Sequence, residues 1–298
     1  MLRIISASPT IKKERGEGMS ISKFYYNRLN DSQKRIYTKI CDGITALSTK
    51  IILPIMPKNT LSLIYKSILL DNPIFFYTVS YQYTTDFNNK RIILTPIYRY
   101  ADSVIKQSVE TLTAHLRSFD VVMNKSDVEK ELFVHDFCLA NFTYDYTFNE
   151  HSFSPLGLLA YKTGVCEGIS RFVKIALDYL RVDCMLVSGT ARSTENKPPE
   201  LHMWNIVSIN GNTYHLDVTF NMSQSTRIKR YDYFNLSDFD IKKDHFITSK
   251  APKCSISGKD YYFANSLVVF NLKELKKLIK NNLRNGKRHM VIKKLYST

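Results

Sequence analysis

His202-Met203-Trp204-Asn205-Ile206-Val207-Ser208-Ile209-Asn210-Gly211-Asn212-Thr213-Tyr214-His215-Leu216-Asp217-Val218-Thr219 sets two alternating runs on either side of an Asn-Gly pair. Asn-Gly between two alternating runs is the strongest short-range hairpin signal, because both central residues of a two-residue turn need positive φ. A turn at Asn210-Gly211 makes paired residue numbers sum to 421, which sets 207 opposite 214, 206 opposite 215, 204 opposite 217 and 202 opposite 219. Alternation then gives one face to Met203, Asn205, Val207, Tyr214, Leu216 and Val218, a core face, and the other to His202, Trp204, His215, Asp217 and Thr219. His202 and Asp217 become diagonal neighbours, about 7 to 8 Å apart at Cα and within side-chain reach.

Upstream, Ile169, Phe172, Val173, Ala176, Leu177 and Leu180 recur at helical spacing, so one face of a helix is buried there. Cys166 stands at its first turn, ahead of the apolar register, flanked by Gly164 and Gly168, which would let backbone approach a substrate closely. A helix start favours a thiolate and offers free N–H groups to an oxyanion. The expected arrangement packs this helix on the His202 face, with His202 as base and Asp217 orienting it. His215 is the competing base. Cys41, Cys138 and Cys184 read as small core hydrophobes, and His115, His135, His151, His245 and His289 as ordinary surface or core residues. Cys166, His202 and His215 could form a metal set by residue type alone, but no fourth ligand stands at motif spacing, so no metal and no cofactor is expected.

Elsewhere the pattern is coarser. Residues 22 to 53 read as one or two helices, 74 to 83 and 91 to 97 as a hairpin, and 101 to 119 and 126 to 142 as helices. A strand over 182 to 188, a polar loop from 189 to 201, a Tyr-rich strand near 260 to 270, a helix from Asn271 to about Leu283 and a last short strand complete the reading. Expected divisions are a flexible tail over 1–20, an N-terminal α+β region over 21–120, a catalytic core over 121–250 and a basic strand-helix segment over 251–298.

The chain has 298 residues with 44% apolar content, enough for a substantial core. Five cysteines without metal spacing or disulfide density suit a reducing compartment. No secretory signal is visible, and no stretch approaches the roughly 18 to 20 uncharged apolar residues of a membrane span, so a soluble cytoplasmic protein is expected. The net charge of +15 is partly local: residues 271–298 carry nine Lys or Arg against Glu274. Together with a general Lys, Asn, Ile and Tyr bias this does not point to nucleic acid, but it makes 271–298 a possible contact for an anionic partner.

Gly164-Val165-Cys166-Glu167-Gly168, His202-Met203-Trp204-Asn205 and Tyr214-His215-Leu216-Asp217-Val218-Thr219 together resemble the three motifs of the transglutaminase-like superfamily. His135 to Asp145 and Tyr233-Phe234-Asn235-Leu236-Ser237 to His245 resemble flanking features of its bacterial members. The resemblance implies an α+β, papain-like (transglutaminase-like) core with the nucleophile helix packed on an antiparallel sheet, preceded by a helical and hairpin N-terminal region. It also implies acyl transfer through a thioester: Cys166 as nucleophile and oxyanion donor, His202 as general base and acid, Asp217 as orienting carboxylate and Trp204 as a shielding residue. Glu167 belongs to the same supporting set. Bacterial relatives often carry an aromatic where this chain has Ile169 and an acid where it has Asn221. The expected substrate is a peptide or protein amide, with hydrolysis favoured over cross-linking. The alternative is a silent scaffold that keeps the fold and docks through its basic C-terminal segment.

Overall fold

The computed structural model describes residues 20–194, 196–225, 228–286 and 289–295. The expected tail over 1–20 lies almost wholly outside them. The N-terminal region holds α1 (Phe24–Asn27), α2 (Asp31–Thr45), β1 (Ile51–Pro54), α3 (Lys58–Asp71), β2 (Thr78–Asp86), β3 (Arg91–Tyr98) and α4 (Asp102–Leu116). Strands β1, β3 and β2 form one antiparallel sheet in that order. Two sequence expectations are corrected here. Helix ends at Thr45, and the β-branched Ile51 and Ile52 join a strand because β3 offers them partners through Leu94 and Ile93. Pro73–Phe75 forms a 3-10 turn, which delays β2 to Thr78.

α5 (Asp127–Asn141) starts in a capping box: Ser126 accepts from the Glu129 N–H while Glu129 accepts from the Ser126 N–H. β4 (Thr143–Tyr144), α6 (Pro155–Tyr161) and β5 (Thr163–Gly164) lead to α7 (Cys166–Tyr179). β6 (Asp183–Ala191), β7 (Glu200–Ile209), β8 (Asn212–Leu216), α8 (Val218–Gln224), β9 (Phe234–Leu236), α9 (Asp238–Ile241) and β10 (His245–Ile247) follow. The strands among them form a five-stranded antiparallel sheet ordered β10-β6-β7-β8-β9. α10 (Tyr261–Ala264) stands where a longer Tyr-rich strand was expected, because Asp260 caps a helical turn through the Tyr262 and Phe263 N–H groups. β11 (Val268–Val269), α11 (Leu272–Arg284) and β12 (Lys293–Lys294) close the described chain.

The hairpin register is the one that the turn dictates: 207 pairs with 214, 206 with 215 and 205 with 216, and Asn210 and Gly211 both have positive φ. β8 ends at Leu216, however. Asp217 leaves the strand as the N-cap of α8, accepting from the Phe220 N–H at 3.0 Å. Which face receives α7 also differs from expectation. Asn205 donates to the Ser170 carbonyl on α7, and Val207, Tyr214 and Leu216 share one apolar cluster with Ile169, Phe172, Val173 and Ala176. Trp204 and Ile206 point the other way, into a second cluster with Ile21, Tyr25, Met185, Val187 and Cys254. Both faces of the sheet are therefore covered, which single-sheet alternation cannot reveal.

Lys174 ties these layers together. Fully buried on α7, its ammonium donates to Asp178 (2.8 Å), the Ser22 carbonyl (3.2 Å) and the Cys184 carbonyl (2.7 Å), so all three N–H bonds find acceptors. The N-terminal segment is thereby fixed to the helix that carries Cys166. Among the described residues no helix is long and apolar enough to cross a membrane.

Candidate active site

Cys166 is the first residue of α7, and the N-cap position falls to Val165, which offers no side-chain acceptor. The first-turn N–H groups are therefore left for an external acceptor, as an oxyanion site requires. Cys166 is half-buried and so reachable, whereas Cys138, Cys184 and Cys254 are buried. Burial pushes the Cys138 and Cys184 thiols up, and those of Cys41 and Cys254 up to about 12.

The two glycines serve a different end from the one expected. A Cβ at Gly168 would lie 2.2 Å from the Ser152 carbonyl oxygen, and one at Gly164 would lie 2.6 Å from a Leu158 methyl. The close approach they permit is to the chain's own 150–158 segment, whose Ser152 carbonyl also accepts from the Val165 N–H. They hold the helix start in place. Glu167 pairs with Arg171 one turn along at 2.6 Å.

His202, near the start of β7, donates from Nε2 to Asp217 Oδ2 at 2.6 Å. Its Nδ1 is the nitrogen left for the Cys166 thiol, which lies within hydrogen-bond reach of the ring. Burial opposes charge on His202, but Asp217 and then Cys166 outweigh it and raise the imidazole to about 10. The fully buried Asp217 is held well below the usual carboxylate range, because His202 and His245 overcome the burial penalty. The Trp204 ring stacks on His202 at 5.8 Å between centroids and 18° between planes.

His215, the competing base, lies elsewhere. Its Nδ1 accepts from the Trp204 indole at 3.0 Å and its Nε2 donates to Asp238 at 3.0 Å, so neither nitrogen is free for a thiol. Cys254 comes close to the same pair, with its backbone N–H on Asp238.

Two residues missed by sequence reasoning stand in the site. His245 donates from Nε2 to the same Asp217 Oδ2, at 2.9 Å, and is fully buried. β10 brings it there by pairing with β6, His245 opposite Ala191. Tyr144 lies opposite Gly164 in the β4–β5 pair, two residues before the cysteine. Burial first, then the neighbouring Cys166 and Glu200, push its phenol up. The Tyr144-Asp145 ending of the His135 to Asp145 segment was the available signal for the second, and the Asp244-His245 pair for the first.

His202, Asp217 and His245, and likewise His215, Asp238 and Cys254, are close enough to share a cation. In the first group both imidazoles already donate to one carboxylate oxygen; in the second both His215 nitrogens are engaged. A metal would have to break those bonds, so the donor sets fit hydrogen bonding better than coordination.

Residues 118–218 match the family model of the transglutaminase-like superfamily, a span that contains Cys166, His202 and Asp217. No curated protein sequence matches the chain. Among solved structures, a candidate cysteine protease from Cytophaga hutchinsonii is 14% identical with a TM-score of 0.31, covering 47% of this chain and 62% of its own. A structure described as a TGase is 13% identical with a TM-score of 0.33, covering 57% and 51%. A candidate protease from Parabacteroides distasonis is 10% identical with a TM-score of 0.25, covering 47% and 36%. The chain thus spans between about a third and two thirds of these proteins.

Proposed function

The chain carries a transglutaminase-like superfamily core at residues 118–218, and from that premise we propose that it is a thiol hydrolase that cleaves a peptide or amide bond through Cys166, His202 and Asp217. The observation that carries the reading is the half-exposed cysteine at an uncapped helix start, in reach of an imidazole whose far nitrogen is held by a buried carboxylate.

In this mechanism the Cys166 Sγ attacks the carbonyl carbon as its proton resides on His202 Nδ1. The oxyanion that forms accepts from the N–H groups at the start of α7. His202 then passes its proton to the departing amine nitrogen as the C–N bond breaks, which leaves a thioester on Cys166. Water attacks the thioester, giving one proton to His202; the C–S bond breaks, the acid leaves and the thiol–imidazole pair is restored. Asp217 keeps the Nε2 proton in place throughout. A second amine in place of water would make the same site a cross-linking one; hydrolysis is preferred because water needs no second substrate site.

Cys166→Ala tests the reading. Iodoacetamide at neutral pH should label the wild-type protein at Cys166 and lose that labelling entirely in the variant. Labelling that persists unchanged would remove the assignment.

A second reading rests on α11, none of whose residues is buried while Lys273, Lys276, Lys277 and Lys280 are exposed. We propose that it docks the protein on an anionic partner. Retention on a polyanion column that falls with salt and disappears on deleting 271–298 supports this; retention that is unchanged by the deletion rules it out.

A further inference from the structure

The hydrogen bonds around Asp217 leave one residue without a role in the mechanism above. Asp217 Oδ1 is taken by the Phe220 N–H at 3.0 Å, while Oδ2 receives two imidazoles, His202 at 2.6 Å and His245 at 2.9 Å. An ionised carboxylate only accepts, so both Nε2 atoms carry hydrogen. His245 meets a second carboxylate with its other nitrogen, Nδ1 against Asp244 Oδ1, and the Tyr233 hydroxyl donates to Asp244 Oδ2. Both His245 nitrogens therefore act as donors, which makes the ring an imidazolium. His202, Asp217 and His245 form a buried line of alternating charge that ends on the partly exposed Asp244.

We infer that His245 is a positioning residue that shares Asp217 with His202: it pins the carboxylate from the far side and, as a cation, draws on its charge and limits how firmly His202 keeps its proton. The inference rests on the proposed role of His202 for its functional meaning and on hydrogen-bond geometry for its substance. A base that must also hand its proton to a leaving amine works best when it is not held too tightly in the charged form.

The groups facing His245 are consistent with this balance. Asp217 approaches from the β8–α8 junction, Asp244 from the preceding residue, and the like charge of His202 from β7, with ring centroids 5.4 Å apart. His215 on β8 is near enough to feel the charge of His245. The remaining neighbours are the rings of Phe220 at 4.5 Å, Trp204 at 5.1 Å and Tyr233 at 5.5 Å, which keep water out. Burial opposes charge on His245, yet its bonds to Asp217 and Asp244 raise its affinity for the proton.

Two substitutions separate charge from geometry. His245→Gln retains an N–H at the position of Nε2, toward Asp217, and His245→Asn retains one at the position of Nδ1, toward Asp244; neither carries charge. Carbon-13 NMR of the histidine rings in the full chain would follow the titration of His202. Charge sharing predicts that the His202 midpoint rises by about one pH unit in both variants, since a like charge has gone. A purely structural role predicts that the Gln variant titrates like wild type, and that result, or a fall in the midpoint, overturns the inference. Near-UV circular dichroism identifies a folded variant; the Gln variant decides the matter when it folds, and if only the Asn variant folds, a midpoint there that is unchanged or lowered overturns the inference. Iodoacetamide labelling of wild-type Cys166, measured beside it, reads the enzyme assignment separately: a rise in the midpoint without labelling leaves this inference standing and removes that one.

Discussion

Among the described residues two groupings bring cysteine, histidine and aspartate together, and one of them has the arrangement of a nucleophilic site. Cys166, His202 and Asp217 meet where β7, the end of β8 and the start of α7 converge; Cys254, His215 and Asp238 meet beyond the Trp204 indole, on the sheet face that also carries His202. In the first, the histidine presents one nitrogen to the carboxylate and the other to a reachable thiol. In the second, the indole of Trp204 occupies one nitrogen and Asp238 the other, and the thiol is buried with its proton held up to about 12. Residue types are the same. What separates the groupings is which lone pairs remain free and whether solvent reaches the sulfur.

The largest effects should come from exchanging roles between the two. Asp217→Asn is expected to lower the rate of Cys166 acylation by about 10³- to 10⁴-fold, since an amide at Oδ2 can hold His202 in the wrong tautomer. Asp238→Asn should leave that rate within a few-fold of wild type. Pre-steady-state kinetics with an amide substrate or an acylating probe would measure both, and equal losses would abolish the distinction. Cys254→Ala should likewise leave labelling of Cys166 intact and lower stability by roughly 1 to 2 kcal/mol through the small cavity it opens, read as a denaturant midpoint.

The two groupings should also answer pH in opposite directions. His202 is raised to about 10, so the stability it contributes is complete below its ordinary value of 6.5 and is lost as pH climbs through about 10. Asp217 is depressed, so its contribution is present above 3.8 and is lost as pH falls below that. His215 is lowered by burial: below 6.5 the unfolded chain takes up a proton that the folded one refuses, and stability falls with pH. Between about pH 4 and 6.5 the His202 grouping should hold while the His215 grouping loosens. The single tryptophan, Trp204, stacks on one histidine and donates to the other, so its fluorescence reports the loosening directly. An emission spectrum constant from pH 7 down to 4.5 would contradict this order.

The first grouping was legible in the sequence because its parts are local. Asn210-Gly211 dictates the register, the apolar spacing after Cys166 dictates the helix, and both signals span fewer than twenty residues. His245 was not legible, because it reaches Asp217 only when the three-residue strand β10 adds to the edge of β6, where His245 pairs with Ala191, 54 positions earlier in the chain. Nothing local specifies such a pairing. Asp217 was read as a strand residue from the alternation of its neighbours, although an aspartate followed by Val-Thr-Phe also suits an N-cap, and the cap prevails because β8 has no partner beyond Leu216 on β7. The face that α7 covers was missed for a different reason: alternation says which residues share a face but not which element lies on it when both faces are buried.

Another buried acid shows what Asp217 would be without its two imidazoles. Glu131, on α5, is fully buried and accepts from the Asn235 amide at 2.9 Å; burial pushes its carboxyl up to about 8. Its second oxygen and the Asn235 carbonyl oxygen have no other partner. A proton on Glu131 would supply a donor that these two acceptors lack. Since the unfolded chain ionises Glu131 near 4.5 while burial raises it to about 8 in the folded chain, stability should fall across that interval by roughly 1 kcal/mol per pH unit. Glu131→Gln, which can donate and accept in the same places without a titrating proton, should remove that slope and leave Cys166 labelling unchanged. Urea unfolding of both proteins at several pH values between 5 and 8 would measure it, and parallel curves would mean that Glu131 enters the fold already charged.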